Sequence, residues 1–336
     1  MAMGNGMLGM MGIAERGGLG RAMKGRVVRA RRPLLDMVRS VLHRSGGLKL
    51  AQLRRTNVIL MFHEIAPEEG EALQKLLRYL ARHFVIISLD EMLQRVAGKQ
   101  PFENAALALT FDDGLRNHRR IVYPILRELG LPATFYVCPG LIGTGTIWTW
   151  ELACRIPWLE ASARREFYET AGLGPEADPA TFVQHLKGLP VAGREAVETE
   201  IRVRTPDFSL SAKERDLYEL MDWDDIRELD PALITIGSHS MTHPDLPQVD
   251  DNRLAREITE SRAELERRLG RPVVDFCYPN GHHDGRVLAQ AAKVYRSAVT
   301  TAVGCVRRGD SAWALKRIEV GTDPVWATWA LALRAG

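Results

Sequence analysis

Three short segments carry side chains able to hold a cation and move protons. The first is Leu109-Thr110-Phe111-Asp112-Asp113-Gly114, where two adjacent carboxylates directly follow an apolar run. Carboxylates placed there are costly unless a cation or a hydrogen-bond donor receives them. The second is Ile236-Gly237-Ser238-His239-Ser240-Met241-Thr242-His243-Pro244. Histidines four apart converge if the loop makes one helical turn. Two neutral imidazoles and one carboxylate then form a three-ligand set with a position left open for water. Either histidine alone is more simply read as a hydrogen-bonded loop residue; the pairing with Asp-Asp-Gly favours a divalent metal. The third segment is Phe276-Cys277-Tyr278-Pro279-Asn280-Gly281. Its backbone amides can serve as an oxyanion hole, although a plain Pro-Asn-Gly turn explains it equally simply.

These segments need a scaffold that brings them to one place. Short apolar runs at 58–62, 85–87, 107–111, 133–137, 233–236, 273–278, 297–300 and 315–320 read as strands. Helical spacing appears at 72–83, 121–129, 253–269 and 285–294, with Gly130 and Gly270 as stops. Strands alternating with helices predict an α/β fold with a parallel sheet, either a barrel or a doubly wound sheet. In both, ligands bind at the carboxyl ends of the strands, where all three segments fall. Residues 144–221 break the rhythm and predict a helical insertion or lid carrying Trp148, Trp150 and Trp158.

Composition narrows the class. With 46% hydrophobic and 26% charged residues, the chain is neither disordered nor multispanning. Cys138, Cys154, Cys277 and Cys305 lack CxxC spacing and are expected to be buried free thiols in a reducing compartment. The net charge of +3 hides an asymmetry: residues 1–55 carry twelve Lys/Arg against Glu15 and Asp36. A basic N-terminal arm (1–55) thus precedes the expected catalytic region (56–322) and a short tail (323–336). Within the arm, 33–45 reads as an amphipathic helix. It can lie on an anionic membrane surface or pack on the outside of the fold. No recognition motif or aromatic platform accompanies the charge, so nucleic acid is not an expected partner. Met1–Ala14 has no basic n-region and makes a poor signal peptide. A cytoplasmic location, with peripheral contact at the inner membrane as an option, is the expectation.

In order, Thr-Phe-Asp-Asp-Gly, Ser-His-Ser-Met-Thr-His-Pro and Phe-Cys-Tyr-Pro-Asn-Gly resemble the NodB-type polysaccharide deacetylases of carbohydrate esterase family 4. Met61-Phe62-His63-Glu64, Pro132-Ala133-Thr134-Phe135-Tyr136 and Gly270 extend the likeness, which runs over residues 58–320. The resemblance implies an irregular (β/α) barrel of about seven strands. It also implies a hydrolase that removes acetyl groups from an N-acetylated sugar of an exopolysaccharide, a surface glycan or a lipid-linked precursor. By the same likeness Asp113, His239 and His243 are metal ligands and Asp112 the general base. The ion is Zn2+ first, with Co2+, Ni2+ or Mn2+ as alternatives. Such an ion makes a bound water the nucleophile and polarises the acetyl carbonyl. The amide of Asn280, with Tyr278 beside it, is the implied oxyanion donor, and Trp148 and Trp150 are candidates either to stack on sugar rings or to pack the lid.

The sequence departs from the family pattern at two points. Cys277 stands where many members have an arginine that orients the base. The late strand reads Leu315-Lys316-Arg317-Ile318, without the histidine that supplies the acid elsewhere. His63, at the end of the first predicted strand, is the replacement candidate for the acid. His282-His283 reads as a solvated turn and His118 as a helix-exterior residue. These departures keep two other readings in play: an O-acetyl esterase or non-sugar amidase on the same site, and a catalytically silent glycan-binding homologue.

Overall fold

The computed structural model describes residues 32–47, 56–101 and 104–334. Eight strands form one parallel sheet: β1 (Asn57–Phe62), β2 (Val85–Ile87), β3 (Ala106–Phe111), β4 (Ala133–Val137), β5 (Ile234–Ser238), β6 (Asp275–Cys277), β7 (Ser297–Val303) and β8 (Leu315–Glu319). Seven of them close a ring in the order β1-β8-β7-β6-β5-β4-β3, with β1 paired back onto β3. β2 lies outside the ring's closure. It pairs with the first half of β3, at Ala106–Ala108, while β4 takes the second half, at Leu109–Phe111. The expected seven-stranded (β/α) barrel is thus present, with β2 as an added half-strand.

Each strand is apolar enough to be buried on both faces, as a parallel sheet covered by helices requires. Alternation along the strands sorts the side chains into two sets. Val58, Leu60 and Phe62, with Leu107, Leu109 and Phe111, face outward onto Leu73, Leu76, Leu77 and Leu80 of the helix Gly70–Ala81. Ile59, Ala106, Ala108, Tyr136, Cys277, Val299 and Leu315 pack together inside the ring. The same parity carries Thr110 and Asp112 inward from β3, Cys277 from β6 and Arg317 from β8. Gly237 on β5 has no side chain for a steric reason: a Cβ there would sit 2.5 Å from the Tyr136 ring.

The named elements between β4 and β5 are all helical, among them Trp148–Arg155, Pro179–Lys187, Val191–Arg204 and Ala212–Tyr218. They enclose their own apolar core around Ile147, Leu152, Tyr168, Phe182, Ile201 and Leu217. The end of this insertion is pinned beside the first motif. Met221 N–H donates to Gly114 O at 2.9 Å and Arg116 N–H to Glu219 O at 2.7 Å. The predicted long helix at 253–269 is interrupted by a π-helical turn at Arg256–Glu260.

Of the arm, residues 1–31 and 48–55 lie outside the described residues, and a helix spans Arg32–Arg44. It packs on the C-terminal helix Pro324–Arg334, with the Arg39 guanidinium 4.7 Å from the Trp326 ring and His43 Nδ1 2.8 Å from Thr328 Oγ1. Met37, Val38 and Val41 remain exposed. Among the described residues, no helix is long and apolar enough to cross a membrane. All four cysteines are free, three of them buried and Cys305 partly so.

Candidate active site

The three motifs meet at the carboxyl end of the barrel. Asp113 follows β3, while His239 and His243 follow β5. Asp113 Oδ1 lies 3.4 Å from His239 Nε2 and 3.5 Å from His243 Nε2. All three residues are buried, and their candidate ligand atoms lie within 4.8 Å of one another. The loops reach this geometry through uncommon backbone. Asp113, Ser240, His243 and Asn280 are the non-glycine residues with positive φ among those described, and all sit at this mouth. Each costs on the order of 1 kcal/mol or more, a burden typical of sites where geometry outranks stability.

Neighbouring groups hold the His239 and Asp113 side chains and the His243 backbone. His239 Nδ1 lies 2.8 Å from Cys277 O. A carbonyl only accepts, so Nδ1 carries hydrogen and Nε2 is the atom turned toward Asp113. The His243 N–H donates to Ser240 Oγ at 3.0 Å, and the Trp148 indole N–H donates to His243 O at 3.1 Å. The Trp150 indole N–H donates to Asp113 Oδ2 at 2.9 Å, leaving Oδ1 for the imidazoles.

The charges are consistent with a cation site. Burial raises the pKa of Asp113, but the hydrogen bond from His239 and the histidines around it outweigh that and hold the carboxyl well below its usual range. Burial and the charge of His239 push His243 down to about 3, so its imidazole is neutral. Burial opposes protonation of His239, yet Cys277 and Asp113 win and raise it. A cation held here would take the place of the proton between His239 and Asp113. Two nitrogens and one carboxylate oxygen, facing each other in a buried site with a polar cleft above, suit a borderline divalent ion.

A second cluster, Asp112, His239 and Cys277, has equally short separations. It does not suit a metal. Burial raises the Cys277 thiol, keeping it protonated, and both oxygens of Asp112 are engaged by arginine. Arg317 Nη1 donates to Asp112 Oδ1 and Nη2 to Oδ2, both at 2.7 Å. The guanidinium is itself held by Thr300 O at 2.8 Å, Thr110 Oγ1 at 3.0 Å and Cys277 Sγ at 3.2 Å. Despite full burial, this pairing lowers Asp112 to about 2. Sequence reasoning missed Arg317. Its signal was a cation inside an apolar strand, at the parity that points into the barrel.

His63 lines the same cleft as Asp113, His239 and His243. Its Nε2 is 3.9 Å from Asp112 Oδ2 and its Nδ1 3.8 Å from Glu319 Oε1, with the side chain 18% exposed. His118 is not on a helix exterior. It is fully buried, its ring lies 5.5 Å from Phe111 and 5.4 Å from Phe135, and its Nε2 is 2.9 Å from His63 O. Burial pushes it down to about 4, so it supports the His63 backbone as a neutral ring.

Asn280, with φ 56°, and Tyr278 border the cleft. The Tyr278 phenol is turned away from it and donates to Trp313 O at 2.9 Å. Trp148 is placed differently from a sugar platform: it is buried in the insertion, with the Arg194 guanidinium 4.5 Å over its ring. Trp150 and Thr149 line the cleft instead. His282 also reaches it and lies 3.0 Å from Asp245 Oδ1, and the His283 ring stacks on Tyr278. The cleft encloses about 410 Å³, within the range of small-ligand sites.

Comparison with solved structures gives the same architecture. A Streptococcus pyogenes deacetylase, PplD, in complex with acetate is 19% identical, with a TM-score of 0.55 over 84% of this chain and 98% of that one. IcaB from Ammonifex degensii is 16% identical, with a TM-score of 0.56 over 83% of this chain and 97% of that one. At such identities the likeness establishes the fold. No curated protein matches the sequence. Residues 99–298, more than half of the chain, match the polysaccharide deacetylase family. That match spans the Asp-Asp-Gly, Ser-His-Ser-Met-Thr-His and Tyr-Pro-Asn-Gly segments gathered here, and the chain belongs to this family of hydrolases acting on carbon–nitrogen bonds.

Proposed function

We propose that the chain removes N-acetyl groups from an acetylated saccharide, using a divalent cation held by Asp113, His239 and His243. The observation that carries this reading is the approach of two imidazole Nε2 atoms to Asp113 Oδ1, with the paired carboxylate of Asp112 alongside. When bound, the cation supplies a Lewis acid that lowers the pKa of water and polarises the acetyl carbonyl.

The chain's own residues do the rest. Asp112, kept ionised by Arg317, takes the proton of the attacking water as its oxygen bonds to the acetyl carbon. The Asn280 amide is assigned to the oxyanion that forms. His63 gives a proton to the sugar nitrogen as the C–N bond breaks, releasing acetate and a free amine. Both groups then exchange protons with solvent and return to their starting states. The separation of Asp112 from His63 Nε2, 3.9 Å, supports a base and an acid serving one substrate from neighbouring positions. Arg317 against Asp112 supports catalysis over simple glycan binding, because it fills the part left open by Cys277.

The saccharide is proposed to belong to an exopolysaccharide, a surface glycan or a lipid-linked precursor. Acetate release from N-acetylglucosamine oligomers, with none from O-acetylated xylan, supports the N-deacetylase. Release from the xylan alone makes the protein an esterase. Metal uptake without release from either leaves a glycan-binding protein.

A further inference from the structure

Lys187 ends the insertion helix Pro179–Lys187 and lines the same cleft as Asp113, His243 and Trp150. Gln184, one turn earlier on the same face, lines it too. Among the described residues no hydrogen bond or ion pair reaches the Lys187 ammonium. The carboxylates whose charge acts on it are Asp113 and Asp245, and each is already engaged. Asp113 faces His239, His243 and the Trp150 indole, while Asp245 faces His282.

A part-buried ammonium without a partner is a poor arrangement for the free protein. Burial pushes Lys187 down to about 8, so it stays charged at neutral pH. Its position at the C-terminal end of a helix offsets part of the cost. What remains is best met by an anion arriving with the ligand. The cleft is also polarised. Glu319 borders it from β8, whereas Lys187 comes from the helices between β4 and β5. A saccharide with an acidic substituent therefore has one favoured direction of entry.

Resting on the deacetylase reading for the identity of the ligand as a saccharide, we propose that Lys187 is a specificity residue for an anionic group on the substrate, a carboxylate or a phosphate carried near the acetamido group. A charge-assisted hydrogen bond to such a group is stronger than one to a neutral hydroxyl.

The test is calorimetric binding to the metal-loaded full chain carrying Asp112→Asn, so that ligands are not consumed. The probes are N-acetylglucosamine, its 6-phosphate, and the disaccharide of glucuronate and N-acetylglucosamine. Binding of either acidic probe about tenfold tighter than the neutral sugar is expected, equal to about 1.4 kcal/mol. The two acidic arms tell a phosphate from a uronate. Lys187→Met should bring that ratio to about one and Lys187→Arg should keep most of it, with Lys213→Met on the exposed insertion surface as the control. Equal or weaker binding of both acidic probes, or a preference that survives Lys187→Met, overturns the proposal. Acetate release by the wild-type chain is measured on the same probes. An acidic preference without release from these probes or from N-acetylglucosamine oligomers removes the deacetylase reading and leaves the anion subsite standing.

Discussion

Arg317 and Asp112 form a two-point pair inside the barrel, each guanidinium Nη 2.7 Å from its own carboxylate oxygen. Strands β8 and β3 contribute one partner each, separated by β1. The pair does two things. It keeps the carboxylate ionised in a place where burial alone would neutralise it, and it fixes the plane in which Asp112 offers a lone pair.

Removing the guanidinium should therefore alter both charge and geometry. Arg317→Met should lower kcat by about 10²-fold or more, the scale of a misplaced general base. Asp112 loses the cation that holds it near 2, so its pKa rises. The acid limb of the kcat/KM profile should then move to higher pH. An unmoved limb would mean that Arg317 does not govern the base. Stripping one partner from a buried pair also costs roughly 3–5 kcal/mol of stability, so the melting temperature should be recorded in parallel.

Asp112→Asn should separate binding from chemistry. The amide keeps the shape but cannot accept the proton, so turnover should fall about 10²- to 10⁴-fold. The metal content, measured by atomic emission, should stay at the wild-type level. Retained turnover would remove Asp112 as the base.

His63→Gln tests the acid. An amine leaving group needs a proton, whereas 4-nitrophenolate leaves without one. Loss of about 10²-fold on an N-acetyl sugar, with a much smaller loss on 4-nitrophenyl acetate, is the expected split. Equal losses on both substrates would place His63 outside the proton transfer.

Much of this was legible in the sequence, and for identifiable reasons. Asp112, Asp113, His239 and His243 lie directly after apolar runs, where a parallel barrel presents its ligands. The part that escaped depends on contacts distant along the chain. Arg317 meets Asp112 across 205 positions, and only the inward parity of β8 hinted at it. Trp148 and Trp150 look alike in sequence. One helical step apart by two residues, they diverge: Trp150 donates to the Asp113 carboxylate, and Trp148 holds the His243 carbonyl from within the insertion core. His118 reads as a helix-exterior residue, yet its ring is packed among Phe111 and Phe135. The lone Lys187 could not be singled out among helix lysines without its cleft.

The indole of Trp150 leads to a prediction of its own. By occupying Asp113 Oδ2 it leaves Oδ1 for the proposed ion, and such supporting hydrogen bonds are worth about 10- to 100-fold in metal affinity. Trp150→Phe should weaken binding by that factor in a chelator competition while the fold is kept. Unchanged affinity would assign Trp150 to packing alone, against Tyr218, on which it stacks.

Equilibrium dialysis of the purified full chain against zinc decides the matter most directly. One tightly held ion per chain is expected for the wild type, and loss of that ion in both Asp113→Ala and His239→Ala with the fold retained by circular dichroism. Wild-type zinc affinity in either variant would contradict a cation held by the carboxylate and the two imidazoles.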